Sequence, residues 1–332
     1  MYRAAATNLF KTFSTITTAV SPNITSALTK IQPITGQRMQ SQIAPCHYPP
    51  IRLPTTAMAA PTWSLPTQVT IQEISPILPS AAKLNPQEIT SVIDQLAESG
   101  LTSITASYIP TLSRAWMTQN IPPGITPTTQ FLSSNICAIS TPVSASKMGP
   151  LGKEQYERLE KLRESSRLDL PIQAVISDIS SDEYPAVSIK QVAELAKQLR
   201  DMGFEITLEI PGEVSVGALA QYLEAIGQQT QLPDALRISN SHGQGVANLF
   251  LALQIGIQKF ESSIAGLDKM LATEDLLYQL QGFGIKTANP IHLQTLAKLS
   301  QTLSAQLGVP NYSSVANALN NNKMPIYNKP KE

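Results

Sequence analysis

No aspartate or glutamate occurs between Met1 and Gln72; the first acid of the chain is Glu73. Over that stretch Arg3, Lys11, Lys30, Arg38 and Arg52 are basic, and serine and threonine are frequent. Cysteine is nearly absent too. Cys46 and Cys137 are the only two in 332 residues, too distant in sequence and context for a disulfide framework, so a reducing interior fits best. No run reaches the roughly 18–20 uninterrupted apolar residues that a membrane-crossing helix needs. Charge is balanced at 24 basic and 24 acidic side chains, which removes any overall electrostatic case for a nucleic-acid partner. What is there is enough chain for one βα barrel, commonly about 250 residues, and an extension.

The acid-free start carries its own pattern. Leu9, Phe13, Ile16 and Val20 are spaced by four, three and four, so they share one helix face, with Arg3 and Lys11 available elsewhere. That pattern suits an import presequence; a Ser/Thr-rich tail that merely lacks acids is the alternative. A secretory signal fits less well, because no clean apolar core precedes a small-residue cleavage site. The expected organisation is a presequence-like extension over 1–44, a linker over 45–68 broken by prolines at 45, 49, 50, 54, 61 and 66, a folded body over 69–318 and a polar tail over 319–332. The expected location is the mitochondrial matrix, with the cytoplasm as the alternative.

From Val69 onward short apolar runs alternate with amphipathic segments, as parallel strands alternate with crossover helices. The expected strands are Val69–Ile74, Ser103–Ser107, Ile136–Ser140, Ile172–Ile176, Glu205–Ile210, Ala235–Ser239 and Lys259–Ile264. The expected helices are Pro86–Ser99, Lys153–Ser166, Ile189–Met202, Val216–Ile226, Gly245–Leu253, Thr273–Leu280 and, beyond the barrel, His292–Leu307. Asn85 suits an N-cap, Pro86 a first turn and Gly100 a C-terminal cap. The fold class is therefore α/β, a TIM-type βα barrel with an N-terminal extension. Only seven strands are visible where eight close the usual barrel, so about one βα unit between Ser107 and Ile136 is expected to be missing or rebuilt. Ile125–Phe131 could supply an abbreviated strand, or part of the N-terminal extension could fill the gap.

Several segments resemble one family. Gly243-Gln244-Gly245-Val246-Ala247-Asn248, Ala252-Leu253-Gln254-Ile255-Gly256, Ser262-Ser263-Ile264-Ala265-Gly266-Leu267 and Leu271-Ala272-Thr273-Glu274-Asp275-Leu276 are similar to the seventh and eighth βα units of the 3-hydroxy-3-methylglutaryl-CoA lyase family. The opening Val69-Thr70-Ile71-Gln72-Glu73-Ile74-Ser75-Pro76 and the stretch Val192–Leu208 also fit. The resemblance implies a barrel of the metal-dependent lyases, and a reverse Claisen cleavage in which a divalent cation chelates the substrate's oxygens. Such a cation needs carboxylate, imidazole or amide ligands, and the enolate needs a cation beside it.

At the matching positions this chain has other residues. An Arg-Asp pair of the family becomes Ile77 and Leu78, and its His-x-His becomes Arg237 and Ser239. Its asparagine ligand becomes Met270, the loop carrying its cysteine is deleted between Leu267 and Leu271, and two acidic positions appear as Thr105 and Ile210. The resemblance thus implies a protein without its relatives' cofactor and without confident catalytic residues. Such a protein would act on a partner, such as an active relative or a second copy. The alternative is metal-independent carbon–carbon lyase chemistry on an acyl-CoA or small acid, with Arg237, Glu209 and His242 as substitutes. Arg237 could hold an anion, or pair with Asp234 or Glu209. The blander reading of His242 is packing at a helix start.

Other features have plain readings. Cys46-His47 lies in the linker without a second pair, Cys137 reads as strand core, and Gly282-Phe283-Gly284 reads as a helix C-cap and turn. The alternating charges from Lys153 to Asp169 read as a solvated helix face.

Overall fold

The computed structural model describes residues 65–107, 116–120, 136–145, 153–165, 170–179 and 187–320. The presequence-like extension, Cys46-His47, most of the linker, the strand candidate Ile125–Phe131 and the chain from 321 onward lie outside the described residues.

Along the chain the elements run β1 (Gln68–Glu73), α1 (Pro86–Glu98), β2 (Ser103–Ser107), β3 (Trp116–Asn120), β4 (Ile136–Ser144), α2 (Lys153–Ser165), β5 (Ile172–Ser177) and α3 (Ile189–Asp201). They continue with β6 (Glu205–Ile210), α4 (Val216–Gln229), β7 (Ala235–Ile238), α5 (Gly245–Ile255), β8 (Lys259–Ser262) and α6 (Thr273–Gly282). A short β9 (Lys286–Thr287) and helices α7 (Leu293–Leu307) and α8 (Ser314–Asn320) follow. Helix α8 runs two residues into the stretch expected to be tail, and β1 starts one residue before the expected boundary.

Local chemistry sets the ends of these helices. The Asn85 side chain accepts from the Glu88 N–H while the Glu88 carboxylate accepts from the Asn85 N–H, so two otherwise unpaired donors at the start of α1 are satisfied reciprocally. Ser188 and Gln191 form the same box at α3. Beyond α1, Gly100 takes φ +100°, and a Cβ there would lie 2.1 Å from the Pro290 carbonyl oxygen, so only glycine fits.

The strands pair in the order β2-β3-β4-β5-β6-β7-β8-β1, and a β1–β2 ladder closes the ring. Of the two strand counts the sequence left open, eight is observed: eight parallel strands close the barrel, and the strand not read from the sequence is β3, in the rebuilt interval, paired with β2 from Ser103↔Trp116 to Ser107↔Asn120. The physical reason lies in the lumen. Strand registers place Gln72, Thr105, Thr118, Ser140, Gln173, Thr207, Arg237 and Glu261 on the inner face. Barrel lumens are commonly filled by branched apolar side chains. This one is polar, so Trp116-Met-Thr-Gln-Asn120 lacks the apolar signature of a buried strand. The apolar core lies instead between sheet and helices, where Ile71, Ile104, Ile139, Ile176, Leu208, Leu236 and Phe260 are each at most 4% exposed.

Candidate functional site

The C-terminal end of β7 carries Arg237 inward, to where two carboxylates converge. Its Nε and Nη2 both approach Glu261 Oε2 at 2.7 Å, and Nη1 donates to Glu209 Oε2 at 3.1 Å. Glu261 is 1% exposed, the Arg237 side chain 12% and the Glu209 side chain 26%, so the triad grades from sealed lumen to open mouth. Below it, Thr207 Oγ1 donates to Glu261 Oε1 at 3.2 Å and accepts from Gln173 Nε2. One guanidinium thus faces two carboxylates. Burial pushes the Glu209 carboxyl upward, against the pull of Arg237. Although burial acts to lower it, the Arg237 guanidinium is held above its ordinary value by Glu261 and Glu209. Beside Glu209 stands Asp178, a non-glycine residue at φ +55°, whose Oδ2 accepts from Ser144 Oγ at 2.6 Å.

A second acidic cluster lies outside the lumen, between β1, the turn after β8 and α6. Glu73 accepts from Ser75 Oγ, Thr273 Oγ1 and the Ile264 N–H, and Glu274 accepts from the Ala265 N–H with both oxygens. Both acids are fully buried. No cation is among the groups bonded to them in these contacts. Burial pushes Glu73 upward and Glu274 to about 8, so Glu274 holds a proton into the neutral range. Their acceptors tie down the turn Ile264–Lys269, where Ala265, Gly266, Asp268 and Lys269 all have positive φ. Asp268 is further held by Ser80, whose N–H and hydroxyl both donate to it.

The structure distributes the residues singled out in the sequence unevenly. Ser239 and Met270 face each other across an isolated antiparallel bridge just beyond the end of β7, with the Ser239 hydroxyl donating to the Lys269 carbonyl. Ile77 ends a short turn, Ser75–Ile77, and Leu78 just after it is buried. Thr105 is buried in the lumen and accepts from Gln72 Nε2 at 2.7 Å. Ile210 is fully buried and faces the helices rather than the lumen, opposite in parity to Glu209. His242 is exposed, its Nδ1 3.3 Å from Ser241 Oγ. Gly212, at the neighbouring strand end, leaves the room: a Cβ there would meet Ser241 Oγ at 1.7 Å. Of the two acids offered as partners for Arg237, Glu209 holds it, whereas Asp234 pairs with Arg200 at 2.7 Å.

Sequence reasoning passed over Glu261, Glu73 and Glu274. The available signal was an acid inside a strand or a buried helix start, as in Lys259-Phe-Glu-Ser262. Cys137 is half-buried on β4 and 3.5 Å from the Met117 carbonyl, and Phe283 caps α6 with Gly284 at φ +72°. On α2, Leu159 and Leu162 are buried under an otherwise largely exposed charged face.

A hard divalent cation does not fit these groups. Leu78, Arg237, Ser239 and Met270 offer a hydrocarbon, a cation, a hydroxyl and a thioether, none of them the carboxylate, imidazole or amide such an ion prefers. Among the described residues, no group of three or more His, Cys, Asp or Glu side chains is placed to hold a metal ion. Nor is any described helix long and apolar enough to cross a membrane.

Fold and mouth together define a TIM barrel with its polar constellation at the C-terminal strand ends, where such barrels place their sites. No protein-family model matches the chain. It is 29% identical over 302 residues to the mitochondrial hydroxymethylglutaryl-CoA lyase of Macaca fascicularis, covering 77% of this chain and 90% of the relative. To the hydroxymethylglutaryl-CoA lyase of Pseudomonas mevalonii it is 32% identical over 182 residues, 50% of this chain and 59% of that protein. The solved lyase of Pseudomonas aeruginosa superposes with a TM-score of 0.67 at 25% identity, covering 78% of this chain and 99% of the other. That of Acinetobacter baumannii, solved with coenzyme A and 3-methylmalate, shares the fold at a TM-score of 0.64 and 20% identity, covering 78% and 98%. The chain resembles the hydroxymethylglutaryl-CoA lyases in sequence and in fold.

Proposed function

We propose that this lyase-like barrel does not perform metal-dependent cleavage and acts as a pseudoenzyme, a binding or regulatory protein for an active relative, a second copy or another protein partner. One observation carries the reading: the guanidinium of Arg237, at a position that resembles a metal ligand, is committed to two carboxylates. It repels a metal ion, and it is not free to meet an enolate. Acetoacetate release from 3-hydroxy-3-methylglutaryl-CoA, assayed with and without magnesium or manganese, is expected to stay at background. Metal-dependent release would sink the proposal.

A second reading is favoured by Glu209, a carboxyl pushed upward by burial yet open to the barrel mouth. Such a group suits general acid–base work, so the alternative is metal-independent lyase chemistry on an acyl-CoA or related acid. Cleavage that survives chelator and is abolished by Glu209→Gln would select it.

The 1–44 extension, the linker to 68, the barrel over 69–318 and the tail are proposed as the functional layout, with import to the mitochondrial matrix. The relatives named as mitochondrial lyases support that location. A reporter fused to Met1–Pro66 that stays diffuse in the cytosol would count against it.

A further inference from the structure

The turn after β8 is held against its own backbone preference. Its φ is +60° at Ala265, +63° at Gly266, +51° at Asp268 and +62° at Lys269. Three of these residues carry a Cβ, for which the left-handed region is unfavourable, so the shape lasts only where its neighbours over-determine it. Those neighbours join two parts of the molecule. The Ala265 carbonyl accepts from the Tyr312 N–H at 2.8 Å, on the way into α8. The Lys269 carbonyl accepts from the Asn240 N–H at 2.7 Å and from the Ser239 hydroxyl at 3.1 Å, just beyond β7 at the barrel mouth. Between these two ties, the Ala265 N–H is given to both oxygens of Glu274.

Glu274 has no counter-charge there. The turn and helices α5, α7 and α8 pack against its own helix, α6. Helices α5 and α8 carry no charged side chain, Lys298 of α7 and Lys269 of the turn are exposed, and Asp268 is taken by Ser80. On α6 itself, Asp275 turns to Ser313 and the Val315 N–H, and Tyr278 is half-buried. Glu73 of β1 acts to keep Glu274 neutral. Ser300 of α7 gives its hydrogen to the Ala297 carbonyl at 2.9 Å and accepts from Asn311 Nδ2 at 3.0 Å, so toward Glu274 it offers a lone pair, the partner of a protonated carboxyl. Burial holds that proton up to about 8. Ionised in place, the group would be a carboxylate without a cation, which is costly away from water.

We propose that Glu274 is a proton-operated latch: protonated, it locks the turn Ile264–Lys269 in its left-handed shape, and on ionising it opens the turn locally, releasing Tyr312 on one side and Asn240 and Ser239 at the barrel mouth on the other. The latch goes beyond the functional reading and does not depend on it, since a mouth with chemistry and one without would both be gated. With the closed-turn value near 8 and the ordinary value 4.5, the closed state binds the extra proton between them. The opening constant therefore rises about tenfold per pH unit across that window and levels off above it.

The test is amide hydrogen exchange of the full chain at pH 6, 7 and 8, each rate divided by that of the unstructured amide. At Ala265, Tyr312 and Asn240 the opening constant is expected to rise about 100-fold from pH 6 to 8. At pH 8 these amides should also open at least about 100-fold more often than those of β6, which open with the whole fold. Glu274→Gln, which keeps an acceptor for Ala265 and a donor for Ser300, should make the opening independent of pH. Ser80→Ala, which frees Asp268 at the far end of the turn, should raise the opening at every pH and leave the slope in place, and it stands in if Glu274→Gln does not fold. A flat native profile, a slope that survives in Glu274→Gln or vanishes in Ser80→Ala, or turn amides that merely follow those of β6 would each overturn the latch.

Discussion

Two sets of buried carboxylates sit on opposite faces of the same sheet and are handled in opposite ways. Inside the lumen, Glu261 and Glu209 share the Arg237 guanidinium. Outside it, Glu73 and Glu274 have hydroxyl and amide donors only, and burial pushes both upward. A buried acid must find a counter-charge or keep its proton, because the isolated ion is too costly away from water. The lumen supplies a counter-charge in Arg237, although burial still pushes Glu209 upward. The outer cluster has no such partner in these bonds, and its acids hold a strained turn in shape through the Ile264 and Ala265 N–H groups, Glu274 keeping its proton up to about 8.

The largest expected break in this comparison comes from Arg237→Met, which leaves two carboxylates unpaired and should cost about 3–5 kcal/mol in urea unfolding at pH 7. Next is pH. The folded pKa of Glu274 is about 8 against 4.5 for the ordinary carboxyl, and Glu73 shifts the same way, so the folded state binds more protons than the unfolded chain between those values. The Glu274 contribution is therefore complete below 4.5 and declines as pH rises toward about 8, and Glu274→Gln should flatten that decline. Urea midpoints across that range check it; an unchanged slope would mean Glu274 is ionised in the fold. Thr273→Val removes a donor to Glu73 and a hydroxyl partner of Ser262, and is expected to cost about 1–2 kcal/mol by the same measurement. Asn85→Ala, remote from both clusters, should cost about 1 kcal/mol through its lost cap. Lys197→Ala should shift stability by less than about 0.5 kcal/mol, since its bond to Asp201 is solvent-exposed.

The fold was largely legible because most strands present an apolar outer face and most helices carry capping residues. Val69–Ile74 and Ile172–Ile176 were found within a residue or so of β1 and β5, and the Asn85 cap was found where expected. Strand β3 was not, since its inner face carries Thr118 and its interval leaves only positions 108–115 between it and β2. Short β9 and α8 were also missed; Lys286–Thr287 is too brief for any periodicity to show. At the site, Arg237 and its link to Glu209 could be anticipated from adjacent strands and opposite charge. Glu261, from the strand on the other side, was not anticipated, and His242 stays at the surface beside Ser241.

By itself the sequence determined the βα alternation, the helix caps and the resemblance to hydroxymethylglutaryl-CoA lyases, because each is carried by residue type and local spacing. Tertiary structure alone decided that eight strands close the ring and that Ile210 turns away from the lumen while Glu209 turns into it. It also decided which acids meet Arg237 and which are sealed without a cation. Those outcomes depend on strand register and inward or outward parity, which bring together groups such as Glu73 and Thr273 that lie far apart along the chain.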